Sequence, residues 1–222
     1  MRSSSGPIGI LGGTFDPVHY GHLRLAQEAA DLLQLAEVRF IPAGAPPHRA
    51  APGATPAQRL AMVQAAIDGN PLFVADDREV RRSGPAYTVD TLTDLRVDVG
   101  GRRPLALLMG ADAFLDLTTW SRWERLFELA HVVVAYRPGF PVDTWQTRMP
   151  VPLARQYNDR LAQQPLAVHL APAGAVFVLP IAELAISATG IRHALSEERS
   201  PRYLLPDSVL AYIRTHELYK KA

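Results

Sequence analysis

The stretch Gly12-Gly13-Thr14-Phe15-Asp16-Pro17-Val18-His19-Tyr20-Gly21-His22 lies between two apolar patterns of different period. The run Ile8 to Leu11 leads in, and a helical spacing of apolar residues, Leu23, Ala26, Ala30 and Leu33, leads out. That order reads as strand, glycine turn, helix. Glycines let backbone N–H groups come close to a ligand, and the positive end of the new helix points at the same place. The junction is therefore expected to bind an anion. His19 and His22 are three residues apart, so both can fall on one side of the helix start.

Outward from this junction the chain alternates short apolar runs with helical patterns. Strands are expected at 8–11, 37–41, 72–75, 105–109, 131–136 and 176–179. Helices are expected at about 20–34, 55–68, 88–97, from 112, at 124–130, 189–196 and 207–215. Thr55-Pro56 is a helix start, with Thr as N-cap and Pro at the first helical position. The proline- and glycine-rich stretch 42–52 is a loop, and the pattern is least legible between 138 and 175. Short buried strands alternating with helices imply an α/β fold, a doubly wound parallel sheet of Rossmann-like type. Ligands of such sheets bind at the carboxyl ends of the strands. The opening motif lies at the carboxyl end of the first.

The length of 222 residues suits one domain over 1–222, with about 187–222 as a small C-terminal helical part. The net charge is +1, which gives no bulk attraction to nucleic acid or membrane. Cysteine is absent, which removes disulfides, thiolate metal sites and cysteine nucleophiles and fits a cytoplasmic setting. No stretch has the length of a signal-peptide core or a membrane span. The sequence is compatible with a homo-oligomer but does not read out the oligomeric state.

A second helix start, Ile186-Ser187-Ala188-Thr189-Gly190-Ile191-Arg192, repeats the chemistry of the first. Ser187 or Thr189 can cap it, and Arg192 offers a planar fork suited to phosphate. Taken alone, this is equally an ordinary cap beside a solvated arginine. The first motif is neither a P-loop, which needs Gly-x4-Gly-Lys-Ser/Thr, nor a dinucleotide fingerprint, because Gly9, Gly12 and Gly13 have the wrong spacing. A metal centre is disfavoured, since two imidazoles need further ligands and none stands at a telling spacing. Asp16 precedes Pro17 and reads as a turn device.

The string Gly-Gly-Thr-Phe-Asp-Pro-x-His-x-Gly-His resembles the signature of the nucleotidylyltransferase superfamily. Ile186 to Arg192 resembles its second signature, Ile-Ser-x-Thr-x-Ile-Arg, with Ala188 where a second serine is usual. Three middle segments are similar to the bacterial nicotinate-nucleotide adenylyltransferases. Pro46-Pro47-His48-Arg49 resembles their Pro-Pro-His-Lys loop, with Arg49 in place of Lys. Tyr87-Thr88-Val89-Asp90-Thr91-Leu92 resembles Tyr-Thr-x-Asp-Thr-Leu. Gly110-Ala111-Asp112 with Leu117 and Trp120 resembles Gly-Ala-Asp…Leu-x-x-Trp.

The resemblance implies an enzyme that joins ATP and nicotinate mononucleotide into deamido-NAD and pyrophosphate, a step of NAD synthesis. His19, His22 and Arg192 would be catalytic. Gly12, Gly13, Thr14, Phe15, Ser187, Thr189, Gly110, Asp112 and Arg49 would bind ATP and its phosphates, with Asp112 on a ribose. Tyr87, Thr88, Trp120 and His48 would bind the mononucleotide. Trp120 would stack on the pyridine ring, a role that Trp123 could also fill, and Thr88 would meet the carboxylate at a helix start. Mg²⁺ would accompany ATP, bridging phosphate oxygens with few protein ligands. Rival readings are a nicotinamide mononucleotide or pantetheine phosphate acceptor, a non-catalytic nucleotide sensor, and an RNA-binding module.

Overall fold

The computed structural model describes residues 5–45, 52–136, 145, 147–182 and 184–221. In chain order these form β1 (Ile8–Gly13), α1 (Tyr20–Leu32), β2 (Glu37–Pro42), α2 (Pro56–Ile67) and β3 (Phe73–Ala75). Then follow α3 (Arg78–Arg81), α4 (Thr88–Val99), β4 (Leu105–Gly110), α5 (Ala111–Leu115), α6 (Leu126–Leu129) and β5 (His131–Tyr136). The chain continues through α7 (Val151–Arg160), β6 (Leu161–Ala162), α8 (Ala167–Leu170), β7 (Val176–Pro180), α9 (Ala188–Ser196) and α10 (Asp207–Thr215). Short 3₁₀ turns at Leu117–Thr119 and Trp123–Arg125 lie between α5 and α6.

The sheet has the order β3-β2-β1-β4-β5-β7-β6. Its pairings β1–β4, β4–β5, β5–β7 and β6–β7 are parallel, with Ile8 opposite Leu105 and Val133 opposite Phe177. This is the expected doubly wound α/β fold. The central strands β1, β4 and β5 are buried on both faces over most of their length, which is why they read as continuous apolar runs rather than alternating ones. Strand order reverses between β1 and β4, the kind of switch point at which such sheets bind ligands at their carboxyl ends.

The chain forms two compact units. One comprises Met1–Leu11, Leu25–Arg39 and Tyr87–Glu183. Its core is built on β4, β5 and β7, where Leu105, Leu107, Val132, Val133, Val134 and Val176 are buried. Buried His131 ties its edge, taking the Ala175 N–H at 3.0 Å on Nδ1 and meeting the Ala171 carbonyl at 2.8 Å. The other unit comprises Gly12–Arg24, Phe40–Ala86 and Leu184–Ala222. In it α2 packs on α10, and the Ser208 hydroxyl donates to the Ala65 carbonyl at 2.7 Å.

Local signals explain the helix starts. Thr55 and Gln58 form a full capping box, with Pro56 in the first turn of α2. Ser187, not Thr189, is the N-cap of α9, its Oγ accepting from the Gly190 N–H at 3.1 Å.

The junction that opens the chain differs from expectation in one respect. β1 runs on through Gly12 and Gly13 instead of stopping at Leu11. The reversal of direction falls on Phe15, which takes φ +51° while its ring is buried. Gly13 serves the ring rather than the turn. A Cβ there would stand 3.1 Å from the Phe15 ring, a tight contact to which the ring folded back under the strand end would have to yield. In the 138–175 stretch, the described part holds α7, β6 and α8, two helices and a short strand that the sequence pattern blurred.

Candidate active site

The site residues of the first and second motifs all belong to the second unit. The His19 carbonyl accepts the N–H groups of His22 and Leu23 at 2.9 and 3.3 Å, so His19 starts α1 and His22 stands in its first turn. Their rings stack, with centroids 3.8 Å apart and planes 30° from parallel. Phe15 packs edge-on against the His22 ring at 5.0 Å and leans on Phe40. Its buried ring cannot reach a phosphate, so what Phe15 can offer one is its backbone N–H.

The imidazole protons are placed by the backbone. The His19 N–H lies 3.3 Å from His22 Nδ1, and the Gly21 N–H lies 3.2 Å from His19 Nδ1. An acceptor Nδ1 puts the proton of a neutral ring on Nε2. Burial, and then the neighbouring His19, pull the His22 pKa from 6.5 down to about 3. His22 is thus a neutral N–H donor near pH 7, neither a cation nor a base.

Asp16, which is buried, is not the local turn device that its place before Pro17 suggested: its carboxylate ties the turn to the 53–54 segment and to Tyr219. Its carboxylate accepts from the Gly53 N–H at 2.8 Å, the Ala54 N–H at 3.1 Å and the Tyr219 hydroxyl at 2.7 Å. Arg192 reaches the same residue from α9. Its Nη1 donates to the Asp16 carbonyl at 2.6 Å and lies 3.7 Å from Oδ2. Arg192 Nη2 stands 3.4 Å from Thr189 Oγ1. The turn and the α9 start meet through Arg192 and Asp16.

Arg59 completes the framework and was not among the expected site residues. It is fully buried, and its guanidinium donates to the carbonyls of Thr14 at 2.7 Å, Gly44 at 3.0 Å and Ala54 at 3.3 Å. Its burial pushes the guanidinium pKa down, opposed by Asp16, Tyr219 and Glu79. The signal for it was visible. Arg59 shares a helix face with Met62, Val63 and Ile67, an apolar stripe on which a charged residue needs a structural reason.

The remaining expected residues, apart from His48 and Arg49, lie in the first unit. Thr88 opens α4 after Tyr87, which as N-cap makes no side-chain cap bond. Gly110 ends β4, and Asp112 is exposed in the first turn of α5. Trp120 closes the first 3₁₀ turn, and Arg122, at φ +51°, pairs with Asp90 of α4 at 2.6 Å. Trp123 packs edge-on against Phe127 at 6.2 Å, whereas Trp120 meets no aromatic ring among the described residues. His48 and Arg49 lie outside the described residues.

Among the described residues no group of three or more His, Cys, Asp or Glu side chains could hold a metal ion. No described helix is long and apolar enough to cross a membrane. Neutral N–H donors, backbone N–H groups, hydroxyls and a guanidinium form a donor set for phosphate oxygens.

A parallel doubly wound sheet carrying such a donor set is the framework of a nucleotide-transferring protein. Residues 10–194 match the cytidylyltransferase-like family. The chain is 51% identical over 98% of its length, and 100% of the relative's, to a protein of Dechloromonas aromatica named "Probable nicotinate-nucleotide adenylyltransferase". It is 49% identical, over 94% of its length and 93% of the relative's, to a protein of the same name from Halorhodospira halophila. A solved structure, Plasmodium falciparum nicotinic acid mononucleotide adenylyltransferase complexed with NaAD, has the same fold at TM-score 0.73 and 18% identity, covering 96% of this chain and 97% of that one. The chain belongs to the nicotinate-nucleotide adenylyltransferases, a family of nucleotidyltransferases.

Proposed function

We propose that the protein transfers AMP from ATP to nicotinate mononucleotide, giving deamido-NAD and pyrophosphate in NAD biosynthesis. The observation that carries the chemistry is the stacked His19–His22 pair, with both Nδ1 atoms engaged by the backbone. The 5′-phosphate of the mononucleotide is already anionic, so no base is needed to create a nucleophile. It attacks the α-phosphorus in line; the new P–O bond forms as the bond to pyrophosphate breaks. Catalysis is then positioning and charge stabilisation. His19 and His22 donate Nε2–H bonds to ATP phosphate oxygens. Gly12, Gly13, Thr14 and Phe15 line the α-phosphate with backbone N–H groups and the Thr14 hydroxyl. Ser187, Thr189 and Arg192 hold the leaving pyrophosphate. Ser187 can donate its hydroxyl proton outward while its oxygen caps α9.

Gly110 and Asp112 would bind the adenylate part, Asp112 accepting from a ribose. Tyr87, Thr88 and Trp120 would receive the nicotinate, with Thr88 N–H facing the carboxylate and Trp120 rather than Trp123 stacking on the ring. We carry His48 to the mononucleotide and Arg49 to the phosphates on motif alone. Mg²⁺ would come with ATP as part of the substrate and would offset phosphate charge, while the chain's own donors, His19, His22, Thr14, Ser187, Thr189 and Arg192, would bind the phosphates. We read the chain as one catalytic domain with 187–222 as its C-terminal helical part, working in the cytoplasm.

Steady-state kinetics of two variants test these roles. His22→Ala is expected to lower kcat by about two to three orders of magnitude with little change in the KM for ATP, as for one lost oxyanion-type donor. Trp120→Ala is expected to raise the mononucleotide KM about tenfold, within the range for aromatic stacking, and to leave the KM for ATP unchanged. A near-normal kcat in the first, or an unchanged mononucleotide KM in the second, removes the role concerned.

A further inference from the structure

The network around Asp16 contains more donors than a turn requires. Its Oδ1 takes both the Ala54 N–H and the Tyr219 hydroxyl, and its Oδ2 takes the Gly53 N–H. The Tyr219 ring is seated for this. A Cβ on Gly53 would stand 3.0 Å from its edge, so glycine at 53 is what lets the ring lie there. Burial and the adjacent carboxylate push the Tyr219 hydroxyl well above its ordinary pKa, so it remains a proton donor at neutral pH.

Arg192 is held to the same residue through its backbone carbonyl rather than through its carboxylate. Its guanidinium is anchored by one arm on the Asp16 carbonyl, while 3.7 Å separates Nη1 from Oδ2. A carboxylate and a guanidinium left to themselves close to about 2.7–2.9 Å, often with both arms. Here the carboxylate is turned and partly neutralised by three other donors, and it does not close.

We propose that the Tyr219 hydroxyl is a positioning group for Arg192, acting through Asp16. By occupying Oδ1 it stops the carboxylate from closing onto the guanidinium, and so leaves the arginine fork for the leaving pyrophosphate. This rests on the reading above that Arg192 holds pyrophosphate. Tyr219→Phe keeps the ring on Gly53 and removes only the hydroxyl. The freed carboxylate then competes with pyrophosphate for Arg192.

The test is the reverse reaction, deamido-NAD with pyrophosphate, in wild type, Tyr219→Phe, Arg192→Ala and the double variant, with thermal melting of each. Tyr219→Phe is expected to raise the KM for pyrophosphate about five- to tenfold, the worth of one hydrogen bond. The KM for deamido-NAD should stay within about twofold, and the substitution should add nothing in the Arg192→Ala background. If Arg192→Ala raises the pyrophosphate KM and Tyr219→Phe does not, the hydroxyl is only a structural tie and the proposal fails alone. Equal effects of Tyr219→Phe with and without Arg192 also overturn it. If Arg192→Ala leaves the pyrophosphate KM unchanged, the clamp and the proposal fall together.

Discussion

His22 carries the electrostatic logic of the site at the level of one side chain. Its ring is packed under Phe15 and against His19, and burial outweighs the neighbour as the cause of its depressed pKa. The sign follows directly. The unfolded chain binds a proton here near pH 6.5 and the folded chain only near 3, so stability falls as pH drops through that interval. The slope from this residue is at most about 1.4 kcal/mol per pH unit. In nitrogen-15 NMR the His22 ring is expected to stay neutral at pH 5, with its proton on Nε2. A His22 titration centred near pH 6.5 would contradict this account. The sequence made the pair visible as His-x-Gly-His but not its protonation. That depends on the ring stack and on two backbone N–H groups, which spacing alone does not reveal.

At the scale of elements, α2 shows how a helix can serve a site it does not enter. Its start is written in local chemistry, Thr55, Pro56 and Gln58, and it begins where the sequence places it. Arg59, one residue later, ties together the carbonyls of Thr14, Gly44 and Ala54, three loop positions that converge on it. Arg59→Met is expected to leave those carbonyls unpaired, at about 1–3 kcal/mol each if they stay dry. A fall in stability of several kcal/mol should appear in urea unfolding, with Arg59→Lys intermediate because a single ammonium cannot span the three. A variant within about 0.5 kcal/mol of wild type would show that water replaces the guanidinium. Helices with clean periodicity, such as α4, α9 and α10, were legible to within about two residues. α7 and α8 were not, because prolines and short length blur a 3.6-residue period.

Across the whole molecule, the central strands were legible because burial on both faces makes each a compact apolar run between turn residues, whereas the two-residue edge strand β6 was not. The site was legible where its residues are neighbours in sequence, as in Gly12 to His22 and Ser187 to Arg192. It was illegible where the fold makes the neighbourhood: the Tyr219–Asp16 bond joins residues 203 positions apart. What distinguishes this chain from other nucleotidylyltransferases is the proposed acceptor. In that proposal Thr88, at the start of α4, would meet the carboxylate and Trp120, after the first 3₁₀ turn, would take the flat, electron-poor ring. Pyrophosphate release from MgATP, measured with nicotinate mononucleotide, nicotinamide mononucleotide and pantetheine phosphate in parallel, identifies the acceptor. The kcat/KM is expected to be highest with the nicotinate acceptor and lower with the amide, with no release above background with pantetheine phosphate. Equal or faster release with pantetheine phosphate, or none with either pyridine mononucleotide, would contradict the proposed function.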